Sequence, residues 1–355
     1  MKKEVKEEVG VPKGILDAAR NLYDDIKKEL FSELKLGQTE YELYFNPDQP
    51  YTFGDKTVDT VHIDITLHPI DTDNYGDSNM GIRHRSKLVT TGGTVYHMNA
   101  NREGYVRLSI DKPVPMDWTA EDVKQSFDKH KVSNVSSISH ELMHDYDAFK
   151  KPKSRVSHAS DYKGKTEFMR LPIKALSRMF FDLYYMDEVE NTVRPTELYA
   201  KAMEKGITKK NFLSFFREEY SNIMDAMKFS TEDLIDELKS NMDEVNQILS
   251  DVQDTELDFN TMSDDEKINY LLRIIYASYS NIIGDTLQEL LMTNPIEGFI
   301  GLMGNKKGYY LSHMKKIQKH KENPIMFYKD AENYLKRTGK KVIKRMAKVY
   351  SILPD

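Results

Sequence analysis

The sequence changes texture once, near Trp118. Before it, apolar and polar residues alternate in short runs. Val61, Ile63, Ile65 and Leu67 interleave with His62, Asp64, Thr66 and His68, and Val106, Leu108 and Ile110 repeat the pattern within Tyr105–Ile110. A period of two marks strands with one buried face. Tyr41–Phe45 is a further β-prone run, and Lys87–Thr90 with Thr94–Met98 flank Gly92 and Gly93 as a hairpin would. Pro113 and Pro115 should end the strand before them. After Trp118 the spacing becomes helical, with helices expected at roughly 132–150, 172–193, 195–205, 209–228, 231–250, 264–292 and 325–350, and with Thr119 opening a further one. One more helix, over 12–36, precedes the strands. The chain is therefore expected to be α+β to about residue 205 and all-helical beyond it.

Composition narrows the chemistry. The 355 residues exceed what one compact core usually spans, so two domains are expected. No cysteine is present, which excludes disulfides, thiolate metal sites and cysteine nucleophiles. Any metal must be held by carboxylates and the ten histidines. No apolar run approaches bilayer length, and the opening MKKEVKEEVGVPKG has no signal-peptide core, so no membrane association is expected.

Charge is unevenly spread. Between Ser230 and Glu266 thirteen acidic residues face Lys239 alone, whereas Met303–Asp355 holds fourteen Lys and Arg against four acids. Such blocks are ordinarily solvated helix faces. A basic tail over 303–355 could also meet nucleic acid, though no aromatic-interleaved motif accompanies it. The eighteen methionines read as filler for irregular helix contacts.

The most informative stretch is S-I-S-H-E-L-M-H-D-Y-D, residues 137–147. On a helix, Val135, Ile138, Leu142, Tyr146 and Phe149 form one apolar stripe. His140 and His144 point the other way, one turn apart, so two ring nitrogens can reach one ion. Glu141 stands about a quarter turn away, placed to reach a water beside that ion rather than to ligate it. A catalytic zinc needs a third protein ligand and an open position. Asp147 is nearest in sequence but would have to bend back along its own helix. The segment Tyr184–Tyr199 supplies Glu188, Glu190 and Glu197 from a second helix, and Glu188 stands close enough to compete with Glu190.

This order of helix, strands, H-E-x-x-H helix and glutamate-bearing helix resembles the zincin metallopeptidases, in their glutamate-ligand branch. More narrowly, the chain is similar to zincin-like proteins of tailed bacteriophages. The positions that carry the likeness are Val11-Pro12 with Ile15-Leu16, Ala19 and Tyr23; Ser139 to Leu142 with His144; Glu190 with Arg194; and the basic run from Lys340 to Tyr350. There is no third histidine of the metzincin type after His144 and no N-E-x-x-S-D motif. The resemblance implies a zincin-like domain over 1–205, with a small sheet and the H-E-x-x-H helix, and a helical extension over 206–355. It implies one Zn2+ per chain held by His140, His144 and Glu190, with Glu188 and Asp147 as alternatives for the third ligand.

Glu141 is then the general base of a peptidase acting on a protein or peptide substrate. An edge strand, Thr94–Met98 or Tyr105–Ile110, would hold that substrate by backbone pairing. Arg194 could orient a neighbouring carboxylate, with Pro195 bending the chain beside it, and Tyr162, His158 and Tyr199 are the candidates for steadying the oxyanion. His62, His68, His84 and His97, on or near strands, read as bystanders. The phage likeness implies synthesis in a host cytoplasm and virion or assembly partners for the helical half. The alternative function is an assembly protein on the same scaffold without strong catalysis.

Overall fold

A computed structural model describes residues 10–70, 95–98, 104–150, 165, 168–169, 171–250, 258–293 and 318–355. Within these, helix α1 (Ile15–Glu33) precedes strands β1 (Glu40–Phe45), β2 (Tyr51–Phe53), β3 (Lys56–Ile70), β4 (Val95–Met98) and β5 (Gly104–Pro115). Helices α2 (Ala120–Lys129), α3 (Lys131–Lys150), α4 (Lys174–Tyr185) and α5 (Glu188–Glu204) follow. Then come α6 (Phe212–Glu219), α7 (Ser221–Ala226), α8 (Thr231–Ser240), α9 (Met242–Ser250), α10 (Asp264–Thr293) and α11 (Ile325–Ala347). The architecture is mixed: a small sheet early in the chain, and helices after it. No helix among the described residues is long and apolar enough to cross a membrane.

The chain forms two compact units that interleave along the sequence, where the composition suggests a single break near 205. The first takes Met1–Pro152, Asn191–Glu219 and Lys344–Asp355; the second takes Lys153–Glu190 and Tyr220–Ile343.

In the first unit the strands form one sheet in the order β1-β3-β5-β4, with β2 pairing β3 beside β1. β1, β2 and β4 run antiparallel to their neighbours, whereas β3 and β5 are parallel. The alternation holds: Val61, Ile63, Ile65, Leu67, Val106, Leu108 and Ile110 are buried, and the residues between them on β3 are half-exposed or exposed. Helix α1 packs against β2 and β1 and buries Ile15, Leu22, Ile26 and Leu30 at helical spacing. Helix α2 starts on a capping box, Thr119 accepting from the Asp122 N–H while Asp122 accepts from the Thr119 N–H.

The fold departs from the sequence expectations at several points. Strand β5 runs through Pro113 to Pro115 instead of ending before them. It pairs with β3 as far as Pro115. The long helix expected over 172–193 breaks at Met186–Asp187, and Pro195, expected to bend the chain, lies inside α5. The helices expected at 209–228 and 231–250 are each two shorter ones. The hairpin across Gly92 and Gly93 lies outside the described residues.

Helix α3 packs against α1 and strand β4. It buries Val135, Ile138 and Leu142 as its stripe predicts, and also Asn134, Ser136, Ser139 and Asp145 on other sides. The β2–β3 turn meets it through Gly54, at φ 62°, where a Cβ would come within 2.6 Å of the Tyr146 ring. One residue past that turn but one, Lys56 donates to Asp145, and both side chains are fully buried.

The second unit is helical where described. Phe168, Phe180, Tyr279 and Phe327 pack ring to ring, and Tyr328, fully buried, donates its hydroxyl proton to the Leu272 carbonyl at 3.0 Å.

Candidate metal centre

His140 and His144 lie one turn apart on α3, half-buried, with their Nε2 atoms 3.0 Å apart. Two ligands about 2.1 Å from one ion in a tetrahedral set stand about 3.4 Å apart, so the pair is already near a shared-ion spacing. Glu190, in the first turn of α5, completes the group: one ligand atom from each of His140, His144 and Glu190 lies within 4.8 Å of the others. Two imidazoles and a carboxylate form a donor set suited to zinc, with room left in a four-coordinate shell.

Helix α5 supplies more than Glu190. Residues 190, 194 and 197 fall on one face, since seven residues complete nearly two turns. Glu197 Oε2 accepts from His140 Nδ1 at 3.1 Å, which leaves the Nε2 lone pair of that ring for the shared point. Arg194, almost fully buried, stands 3.7 Å from the same Glu197 oxygen. Burial pushes the Glu197 carboxyl up, but His140, Arg194 and Lys201 outweigh it and hold the group below its ordinary range. Ser136 Oγ donates to the Glu197 carbonyl at 3.3 Å and joins the two helices a turn below the histidines.

Pro195 raises the question of how α5 stays straight enough to present Glu190. A proline at 195 cannot donate to the carbonyl four residues back, that of Asn191. Arg345, near the end of α11, donates from Nη1 to that carbonyl at 2.9 Å. The basic C-terminal segment thus satisfies the acceptor that the proline leaves without its helical donor.

The expected site residues fall out as follows. His140, His144 and Glu190 come together. Glu141 follows His140 on the same helix, half-buried. The carboxylate beside Arg194 is that of Glu197. Asp147 is not in the convergent group, because seven residues along a rigid helix hold it about 10 Å up the axis from His140. Tyr199 is buried nine residues from Glu190, half a turn out of phase with the face that carries Glu190 and Glu197. The side chain of Glu188, and Tyr162 and His158, lie outside the described residues. The sequence offers Glu197 only as one of three carboxylates on the second helix, and its contact with His140 Nδ1 comes from the fold.

Of the two strands proposed to hold a substrate, Tyr105–Ile110 is interior to the sheet and cannot pair with another chain. Among the described residues Val95–Met98 is the edge, and it is also the strand that lies against α3. Comparison with protein-family models, curated proteins and solved structures gives no match to this chain.

Proposed function

We propose that the chain is a zinc-dependent peptidase of the zincin type, with His140, His144 and Glu190 as ligands and Glu141 as proton carrier. The observation that carries the reading is the convergence of those three donors from two helices, with a carboxylate already bonded to the far nitrogen of His140. A zinc ion held there would polarise the scissile carbonyl and make a neighbouring water more acidic.

The chain's own residues account for the rest of the hydrolysis. Glu141 takes a proton from the attacking water as its oxygen bonds to the carbonyl carbon. It returns that proton to the amine nitrogen as the C–N bond breaks. Glu197 holds the His140 ring and its tautomer. Strand β4 offers edge N–H and C=O groups to an extended substrate backbone. The phage-type resemblance points to a phage or host protein as substrate. A second reading, an assembly component on the same scaffold, draws on the separate helical unit and its acidic run.

Glu141→Gln separates the two. The peptidase reading expects zinc content unchanged and hydrolysis of an unstructured protein substrate reduced by about 10²–10⁴-fold. Equal hydrolysis by the variant and the native chain would contradict it.

A further inference from the structure

The half-exposed face of the sheet carries a second group with the chemistry of a cation site. Register places Glu42 of β1 opposite Asp64 of β3, and Tyr44 opposite His62. One ligand atom from each of Glu42, His62 and Asp64 lies within 4.8 Å of the others. His62 Nε2 stands 2.7 Å from Glu42 Oε1 and 3.4 Å from Asp64 Oδ1. Yet that nitrogen is sealed from solvent and makes no hydrogen bond among the described residues. Two carboxylate oxygens surround it, neither in line to accept a proton from it.

The surrounding groups prepare these three for a cation. His62 Nδ1 is 3.0 Å from the Tyr105 hydroxyl, so the ring can give its proton to that oxygen and keep a lone pair on Nε2. Arg107 donates from Nε to Asp64 Oδ2 at 2.8 Å, which fixes the carboxylate and leaves Oδ1 toward His62. Two carboxylates against one guanidinium leave the cluster with one net negative charge. The His62 side chain is 12% exposed and held on both sides, whereas Glu42 is 70% exposed and free to close on an ion.

We infer that Glu42, His62 and Asp64 form a second metal site, which takes a borderline divalent cation such as Zn2+ or Co2+ and ties the edge strand β1 to β3. One imidazole with two carboxylates suits such ions, whereas Mg2+ and Ca2+ call for all-oxygen shells. A ligand that spans both strands stabilises the native state by mass action. The site is independent of the centre on α3 and does not rest on the peptidase reading.

The test uses the full chain with His140→Ala and His144→Ala, followed by Co2+ absorption and equilibrium dialysis. One equivalent of Co2+ should remain and should raise the melting temperature, with no comparable shift from Mg2+. Adding Glu42→Ala, at an exposed position, should weaken that equivalent at least tenfold, and adding His62→Gln should remove it. Failure of the double variant to bind Co2+ at about 100 μM, or binding indifferent to both further changes, would overturn the inference. A native chain that loses no metal on replacement of His140 and His144, yet loses it with His62→Gln, would support this site and contradict the centre on α3.

Discussion

Lys56 and Asp145 are the residues whose pairing the sequence hid best. They stand far apart in the chain, yet Lys56 donates to Asp145 in a fully buried pair next to His144. A lysine after a turn glycine reads as surface, and only the folded sheet shows that it is inside. Lys56→Met leaves a carboxylate uncompensated in the core and should cost about 3–5 kcal/mol in urea unfolding. A loss within about 0.5 kcal/mol would show the pair to be unimportant. Asp182 poses the opposite case. Burial, with Asp225 adding to it and Arg178 opposing, raises its carboxyl from 3.8 to about 7. Below pH 3.8 folded and unfolded chains both hold the proton, and the group contributes nothing. As pH rises from there to about 7, the folded state keeps a proton that the unfolded state has lost, so stability falls; above 7 the full penalty stands. Asp182→Asn should therefore gain stability relative to the native chain between pH 5 and pH 8, by on the order of 2 kcal/mol. An unchanged difference between the two pH values would contradict this. His140, Glu141 and His144, by contrast, were legible because their spacing alone puts them on the polar side of a helix. Glu197 was harder, because its partner lies on another helix.

Helix α5 was the element least legible in advance. Proline is ordinarily a breaker, so the segment from 172 to 205 reads as two helices divided there. The actual break, at Met186–Asp187, has no proline or glycine to announce it. The carbonyl that Pro195 leaves without its helical donor, that of Asn191, is served by a long-range donor, Arg345, 154 residues from Asn191, and no local pattern encodes that. The contact can be measured by a double-mutant cycle. Arg345→Met should cost about 1.5–3 kcal/mol, the range for a hydrogen bond from a charged group. In a Pro195→Ala background the restored N–H serves the Asn191 carbonyl, and the same change should cost less than half as much. Equal costs in both backgrounds would show that Arg345 is not filling the gap left by the proline.

At the scale of the molecule, the period-two and helical textures correctly announce a small sheet followed by helices. They could not announce that the two compact units interleave, because unit membership depends on contacts that local periodicity does not record. The basic block near the C-terminus has a structural use in Arg345. The acidic block includes the Ser230-capped helix α8 and Asp265, which pairs with Lys239 at 2.9 Å. The proposed function depends first on α3 and α5 together forming a zinc site. Its most direct test is metal analysis of the chain purified without chelator, beside the His140→Ala/His144→Ala and Glu190→Gln variants. One equivalent of zinc should disappear with both histidines and should bind at least tenfold more weakly without the Glu190 carboxylate, whereas an equivalent held by Glu42, His62 and Asp64 should stay. Zinc content unchanged by the loss of both histidines would contradict it.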